Sequence, residues 1–335
     1  MKRNALIAVA FAATITAGAQ NIAVVCPGDT TSLYQSLDEA IKKAKPKSII
    51  YLPGGGLTVS DSTKIDKQLT IMGVSHRGDT DNADGATVIS GNLNFVGGSS
   101  RSAVMGVYLK GDVYIGTETD SVTNFTLRYC NVNSVQVKHS GSTGMIVNNN
   151  YIRSTSFFGQ TNPKITNNIA HSFYDINGGQ ITNNVITSYG TIWGGAGSYG
   201  SWYYTQAIGA DNSIITYNVL IDPSDRLKGS NCYVSHNLLQ SSDVKWATNN
   251  DIADDNVELE NIDWGQVFKN SNGVLLSSNY KYKEEYMQYS DIGIYGGSSF
   301  NDKGLAPIPR IVSKEVDEQT DGTGKLTIKV KVVAQ

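Results

Sequence analysis

The chain has 335 residues, 34 of them Gly and 29 Asn, with 7 Pro, 3 Cys, 40% apolar and 17% charged residues and a formal net charge of −3. Gly and Asn tolerate positive φ and suit tight turns between short strands, which excludes a helical bundle, while the apolar content excludes a largely disordered chain. The near-neutral charge, with a pI of about 5.8, also argues for no nucleic-acid partner, since such a binder needs a basic patch to displace counterions.

Lys2 and Arg3 precede an apolar run over residues 5–15, and Ala17, Gly18 and Ala19 supply small residues for a signal peptidase. Residues 1–19 read as a secretory signal peptide cut before Gln20. Neither that run nor any later segment has the 18 or so apolar residues of a spanning helix, so no membrane span is expected. The protein should be secreted to the periplasm, the cell surface or the outside. Next, Leu33, Leu37, Ala40, Ile41 and Ala44 have helical spacing, which predicts a short amphipathic helix over 33–44, stopped by Pro46. Residues 48–52 read as a buried strand closed by Pro53-Gly54, and residues 69–72 as another, closed by Gly73.

The polar stretch Asp79-x-Asp81-x-x-Asp84-Gly85 has the carboxylate density of a calcium loop. Its spacing is one residue too long for an EF-hand start, and no Glu falls at the twelfth position. Two readings stand: a weak calcium site at Asp79, Asp81 and Asp84, calcium being the only cofactor the chain suggests, or a turn rich in Asp because Asp turns well. Cys26, Cys130 and Cys232 lie roughly a hundred residues apart, odd in number and without zinc spacing, and read as small buried apolar residues.

The middle of the chain repeats a phrase: Ile165-Thr166-Asn167-Asn168-Ile169, Ile181-Thr182-Asn183-Asn184-Val185 and Ile215-Thr216-Tyr217-Asn218-Val219, with variants at residues 147–151 and 234–238. The last Asn of each, Asn150, Asn168, Asn184, Asn218 and Asn237, recurs at spacings of 18, 16, 34 and 19. The 34 is either two turns or one turn carrying a long loop. Short β-rich units of this length fit the coils of a β-solenoid, with the Asn of each corner stacked on its equivalents. The chain thus resembles the right-handed parallel β-helix proteins of the pectate-lyase-like superfamily, in particular exported examples from Bacteroidetes. The resemblance implies an all-β, right-handed parallel β-helix of roughly ten coils over residues 20–250, plugged by the N-terminal helix. Residues 251–335 are expected to supply C-terminal coils, a closing segment around 291–311 and a half-buried strand with Leu326, Ile328, Val330 and Val332 on one face and lysines on the other, either a cap or edge strand or a small attached module after a turn at residues 321–324.

In a solenoid, residues at equal offset from successive anchors stack about one strand spacing apart. Three residues beyond the anchors lie Arg153 and His171, expected on adjacent coils. An Arg beside a His could neutralise a uronate carboxylate and move a proton, as β-elimination of an acidic polysaccharide requires. They are equally readable as solvated ladder residues. Tyr174 and Asp175, just beyond His171, read either as completing a site at the groove edge or as loop polars. Within residues 189–204, Trp193, Tyr199, Trp202, Tyr203 and Tyr204 alternate with glycines. Aromatic faces of this kind pack on sugar C–H faces, or fold back on the flank as a satellite cluster. No Gly-x-Ser-x-Gly elbow or phosphate loop occurs, and neither the calcium-binding Asp set of pectate lyases nor the paired Asp of polygalacturonases maps onto the chain. The expectation is an exported β-helix protein with a polysaccharide partner, either degrading acidic glycan or serving as a non-catalytic surface scaffold.

Overall fold

A computed structural model describes residues 21–28, 31–78, 85–187, 206–221, 225–239, 245–246, 249–253, 255–258, 268–270, 274–276, 291–294, 296–297, 300–301, 303–307, 309–316 and 328–333. Residues 1–19, Asp79, Asp81, Asp84 and the aromatic residues Trp193, Tyr199, Trp202, Tyr203 and Tyr204 lie outside these residues. The fold is an all-β parallel solenoid with one short helix.

The chain starts with Ile22–Val25, which pairs antiparallel with both Thr31–Tyr34 and Ser48–Tyr51. The helix α1 spans Leu37–Lys43, later than its apolar spacing predicts. Ser36 caps it, its side chain accepting from the Glu39 N–H at 3.2 Å. Residues 31–34 are extended instead, because pairing with the buried strand before them satisfies their backbone, and Leu33 is left 46% exposed. Leu37, Ala40 and Ile41 face the first coil and shield its apolar end.

From Ser48–Tyr51 onward, ten parallel strands stack in one sheet, ending at Asp251–Ile252. Most are three residues long with the middle side chain inward. Their register builds the interior column Ile50, Ile71, Val104, Leu127, Val147, Ile165, Ile181, Ile215 and Val234. A second parallel sheet supplies a facing column, Ile89, Leu109, Val132, Ile152, Ala170, Ile186, Leu220 and Leu239. All belong to one interior cluster. Burying a Val, Leu or Ile contributes roughly 1.5–3 kcal/mol against leaving it exposed, so these columns drive the stacking.

The coils turn between the two sheets on two residues. The first takes positive φ: Gly106, Tyr129, Asn149, Asn167, Asn183, Tyr217 and His236. The second is the repeat Asn. Its side-chain N–H donates to the next coil's Asn Oδ1 from Asn150 to Asn168, Asn184, Asn218, Asn237 and Asn256 in turn, at 2.9–3.0 Å. The same Oδ1 atoms accept the backbone N–H of the Asn before them. Direct bonding of Asn184 to Asn218 makes the interval of 34 one turn bearing an insertion. The coil before Asn150 places Cys130, not an Asn, in this column, and its N–H donates to Asn150 Oδ1 at 2.9 Å.

The segment 291–306 does not continue the stack. It runs back along the corner as a strap, from the coil of Tyr217 to the first coils. Gly293 N–H donates to Tyr217 O, Asn183 Nδ2 to Asp291 O, and Asn167 Nδ2 to Ile294 O and Gly296 O. Further on, Asn301 N–H donates to Asn149 Oδ1, and Ser75 Oγ donates to Lys303 O at 2.6 Å. Ile292, Ile294, Phe300 and Leu305 are buried outside the interior cluster, as are the outward-facing Tyr151, Ile169, Val185 and Val219. Tyr151 and Phe300 meet edge to face at 5.6 Å. Arg310–Val316 and Ile328–Val333 then form a separate antiparallel hairpin on which Ile328, Val330 and Val332 are exposed, whereas their alternation predicts a half-buried face.

Candidate functional site

Along the outside of the second sheet, one register column reads Lys64, Asn94, Tyr114, Gln136, Ser156 and Tyr174. Strand alternation sends Ile115, Val113, Val135 and Phe157 inward beside it and leaves these polar side chains outward. Neighbouring side chains link across the coils. Asn92 Nδ2 donates to Asp61 Oδ1 at 2.8 Å, Asn133 Nδ2 to Asp112 Oδ1 at 2.7 Å, and Tyr114 OH to Asp112 Oδ2 at 3.0 Å. Partial burial and the Asp112 carboxylate push the Tyr114 phenol above its ordinary pKa. Lys138 Nζ lies 5.2 Å over the Tyr114 ring and donates to Gln136 Oε1. The result is a flat face of donors and acceptors repeating at about 4.8 Å over six coils.

Arg153 and His171 sit at the edge of this face. Pairing of Ile152 with Ala170 makes them neighbours on adjacent coils, as the repeat predicts. Arg153 is exposed, but His171 is only 4% exposed. Burial first, and the Arg153 charge second, lower the His171 pKa to about 4, so the imidazole is neutral at pH 7. Asp175 adopts φ 58°, where the strand register shifts, and accepts from Ser156 Oγ at 3.0 Å. That irregularity turns its carboxylate outward next to the ladder. The insertion carrying Trp193, Tyr199, Trp202, Tyr203 and Tyr204 leaves after Val185–Thr187 and returns at Gln206–Asp211, a strand paired with Phe173–Asn177, which holds Asp175.

A second cluster lies at the far end of the corner column. The Tyr217 and His236 rings stack with centroids 4.7 Å apart and planes 25° apart. His236 Nδ1 is 2.9 Å from Asp255 Oδ2 and also touches Ser235 Oγ, while the His236 backbone N–H donates to Asp255 Oδ1 at 3.0 Å. That backbone bond, opposed by slight desolvation and aided by the Ser235 hydroxyl, holds the Asp255 carboxyl below its ordinary pKa. A nucleophilic triad would need Ser on Nε2, so Ser235 is a brace for Nδ1. Columns taken three residues after the anchor pass over this cluster; the position one residue before it reads Asn149, Asn167, Asn183, Tyr217, His236, Asp255 and would have shown it.

Among the described residues, no group of three or more His, Cys, Asp or Glu is placed to hold a metal ion, and no helix is long and apolar enough to cross a membrane. No protein-family profile, no curated protein and no solved structure matches the chain.

Proposed function

We propose that the protein is an exported, pectate-lyase-like β-solenoid that holds an extended acidic polysaccharide along the polar ladder from Lys64 to Tyr174. The carrying observation is that ladder itself: six outward polar side chains in unbroken register on a rigid sheet. A linear glycan presents hydroxyls and carboxylates at a repeat of similar length, so successive sugars meet equivalent partners. Lys64, Lys138 and Arg153 offer cations for uronate carboxylates, and Asp112, Asn133 and Asp175 accept from hydroxyls. The insertion between Thr187 and Gln206, whose ends flank the Asp175 strand, carries Trp193, Tyr199, Trp202, Tyr203 and Tyr204, residue types that stack on sugar C–H faces.

Binding is favoured over β-elimination because His171, the proton carrier a lyase would need, is buried and, with a pKa of about 4, a weak base. An imidazole buried to this depth does not reach a sugar C–H. The test incubates the mature protein with polygalacturonate and alginate, with and without calcium, following affinity and unsaturated products. Binding without products, weakened at least tenfold by Arg153→Ala, is expected. Products lost in His171→Ala would replace binding by catalysis, and absence of both binding and products would remove the glycan reading.

A further inference from the structure

We infer that Tyr217, His236 and Asp255 form a second saccharide site, selective for neutral sugars, on the corner of the last coils. The corner column has two regimes. Where the strap lies over it, Asn149, Asn167 and Asn183 use their side chains to bind strap backbone. At the coil where the strap begins and the one beyond, the column carries Tyr217 and His236 at φ 59° and 55°. A Tyr at such φ costs roughly 1–2 kcal/mol, where Asn and His are better tolerated. Tyr129 is a further ring in this column, at φ 56°, with its carbonyl on His76 Nδ1, whereas the Tyr217 and His236 rings stack on one another and form a surface.

That surface has a defined chemistry. His236 Nδ1 lies 2.9 Å from Asp255 Oδ2, and in the neutral imidazole that contact places the proton on Nδ1 and makes Nε2 an acceptor. The two side chains are 46% and 39% exposed. Asp255 and Nε2 both accept, so the ligand must bring donors. On the same coils Ile214 and Tyr233 are register neighbours on the outer face of the first sheet and are among the most exposed apolar side chains, at 45% and 43%. Tyr233 and His236 are three residues apart, at most about 10 Å, a span a disaccharide covers. An apolar face beside hydrogen-bond acceptors suits a pyranose, with its C–H face on Tyr233 and Ile214 and its hydroxyls donating to Nε2 and Asp255. Asp251, the exposed register neighbour of Tyr233, and Asp255 repel a polyuronate. The ladder offers the cations Lys64, Lys138 and Arg153 beside Asp112 and Asp175, and it lies seven residues further round the coil, as Asn167 to Tyr174 shows. The protein would bridge two glycans of different charge.

The site shares only the ligand class of the proposed function, and its test separates the two. Cellopentaose, laminaripentaose and mannopentaose are titrated calorimetrically against the full mature chain, beside polygalacturonate. At least one neutral pentasaccharide should bind, weakened tenfold or more by Tyr217→Asn or His236→Asn and unchanged by Arg153→Ala. Asn occupies the same conformation at positions 149, 167 and 183, so both variants keep the turn. On the native protein, the bound sugar should also shift the ring resonances of Tyr217 and His236, a readout independent of any variant. No binding of any neutral sugar, unchanged binding in both Asn variants, or ring resonances that do not move would overturn the inference. Loss of polygalacturonate binding alone would overturn only the ladder reading.

Discussion

Two columns run side by side along one corner of this solenoid, one residue apart on every coil, and they obey different rules. The inner column is Asn on every coil from Asn150 to Asn256, and from Asn150 to Asn237 each side chain is fully buried. The outer column changes from Gly106 and Tyr129 through Asn149, Asn167 and Asn183 to Tyr217, His236 and Asp255. The inner position does one thing, which is to close backbone hydrogen bonds that the turn leaves open inside the protein. A buried donor or acceptor allows few solutions, and repetition follows. The outer position faces strap on some coils and solvent on others, so its residue follows what it touches.

Breaking the inner column should have the largest effect. Asn184→Ala removes the acceptor of the Asn168 N–H and Nδ2–H and the donor to Ile165 O, while Thr182 O keeps the Asn167 N–H; at about 1–3 kcal/mol per unsatisfied buried group the loss should reach roughly 3–5 kcal/mol in urea unfolding. Asn256→Ala, at the half-buried end of the stack, should cost only about 1–2 kcal/mol. Equal losses would mean that the ladder is not a stack.

A buried group with the opposite preference sharpens the same contrast. His171 keeps a pKa of about 4 when folded against an ordinary 6.5, so between these pH values the unfolded chain takes up a proton that the folded one does not. Stability should be full above pH 6.5 and fall on acidification to pH 4, by up to roughly 3 kcal/mol. His171→Gln should flatten that part of the profile.

The outer column is tested through the strap. A Cβ on Gly296 would collide with Asp291 O and Asn183 Nδ2. Gly296→Ala should detach the strap there, lowering stability by about 2 kcal/mol, within the usual range for such backbone clashes. Limited proteolysis should then remove the C-terminal region faster than in the native protein. The smallest change is a gain. Cys130 already fills the ladder position, its Sγ near Arg128 O at 3.0 Å and Val104 O at 3.7 Å. Cys130→Asn would extend the ladder by one rung and should add about 0.5–1.5 kcal/mol, the net value of one hydrogen bond. Burial has pushed this thiol up to about 12, so no thiolate chemistry is lost.

The solenoid was legible because the Ile-Thr-Asn-Asn phrase repeats its own hydrogen-bond pattern. Arg153 and His171 were legible as neighbours for the same reason, since parallel register carries sequence offset directly into space. Cys130 was not, because a Cys in an Asn column looks apolar until its N–H is seen to donate to Asn150. Asn256 was hidden behind Asp254 and Asp255. The strap had no periodicity to read: Ser75 meets Lys303 across 228 residues, and much of the strap bonding is through main-chain atoms, which leave no residue signature. The burial of His171 was not legible, because the offset rule places a residue beside its neighbour and not at a depth. The start of α1 was misplaced because Leu33 matches a helical stripe yet pairs as a strand.

The most direct measurement labels the Asn side chains with nitrogen-15 and records amide cross-peaks in the folded protein. Stacked coils predict close contact between the side-chain amides of Asn184 and Asn218, 34 residues apart, and exchange far slower than that of exposed Asn212. No cross-peak between that pair, with exchange as fast as at Asn212, would contradict the parallel stack and every neighbour relation drawn from it.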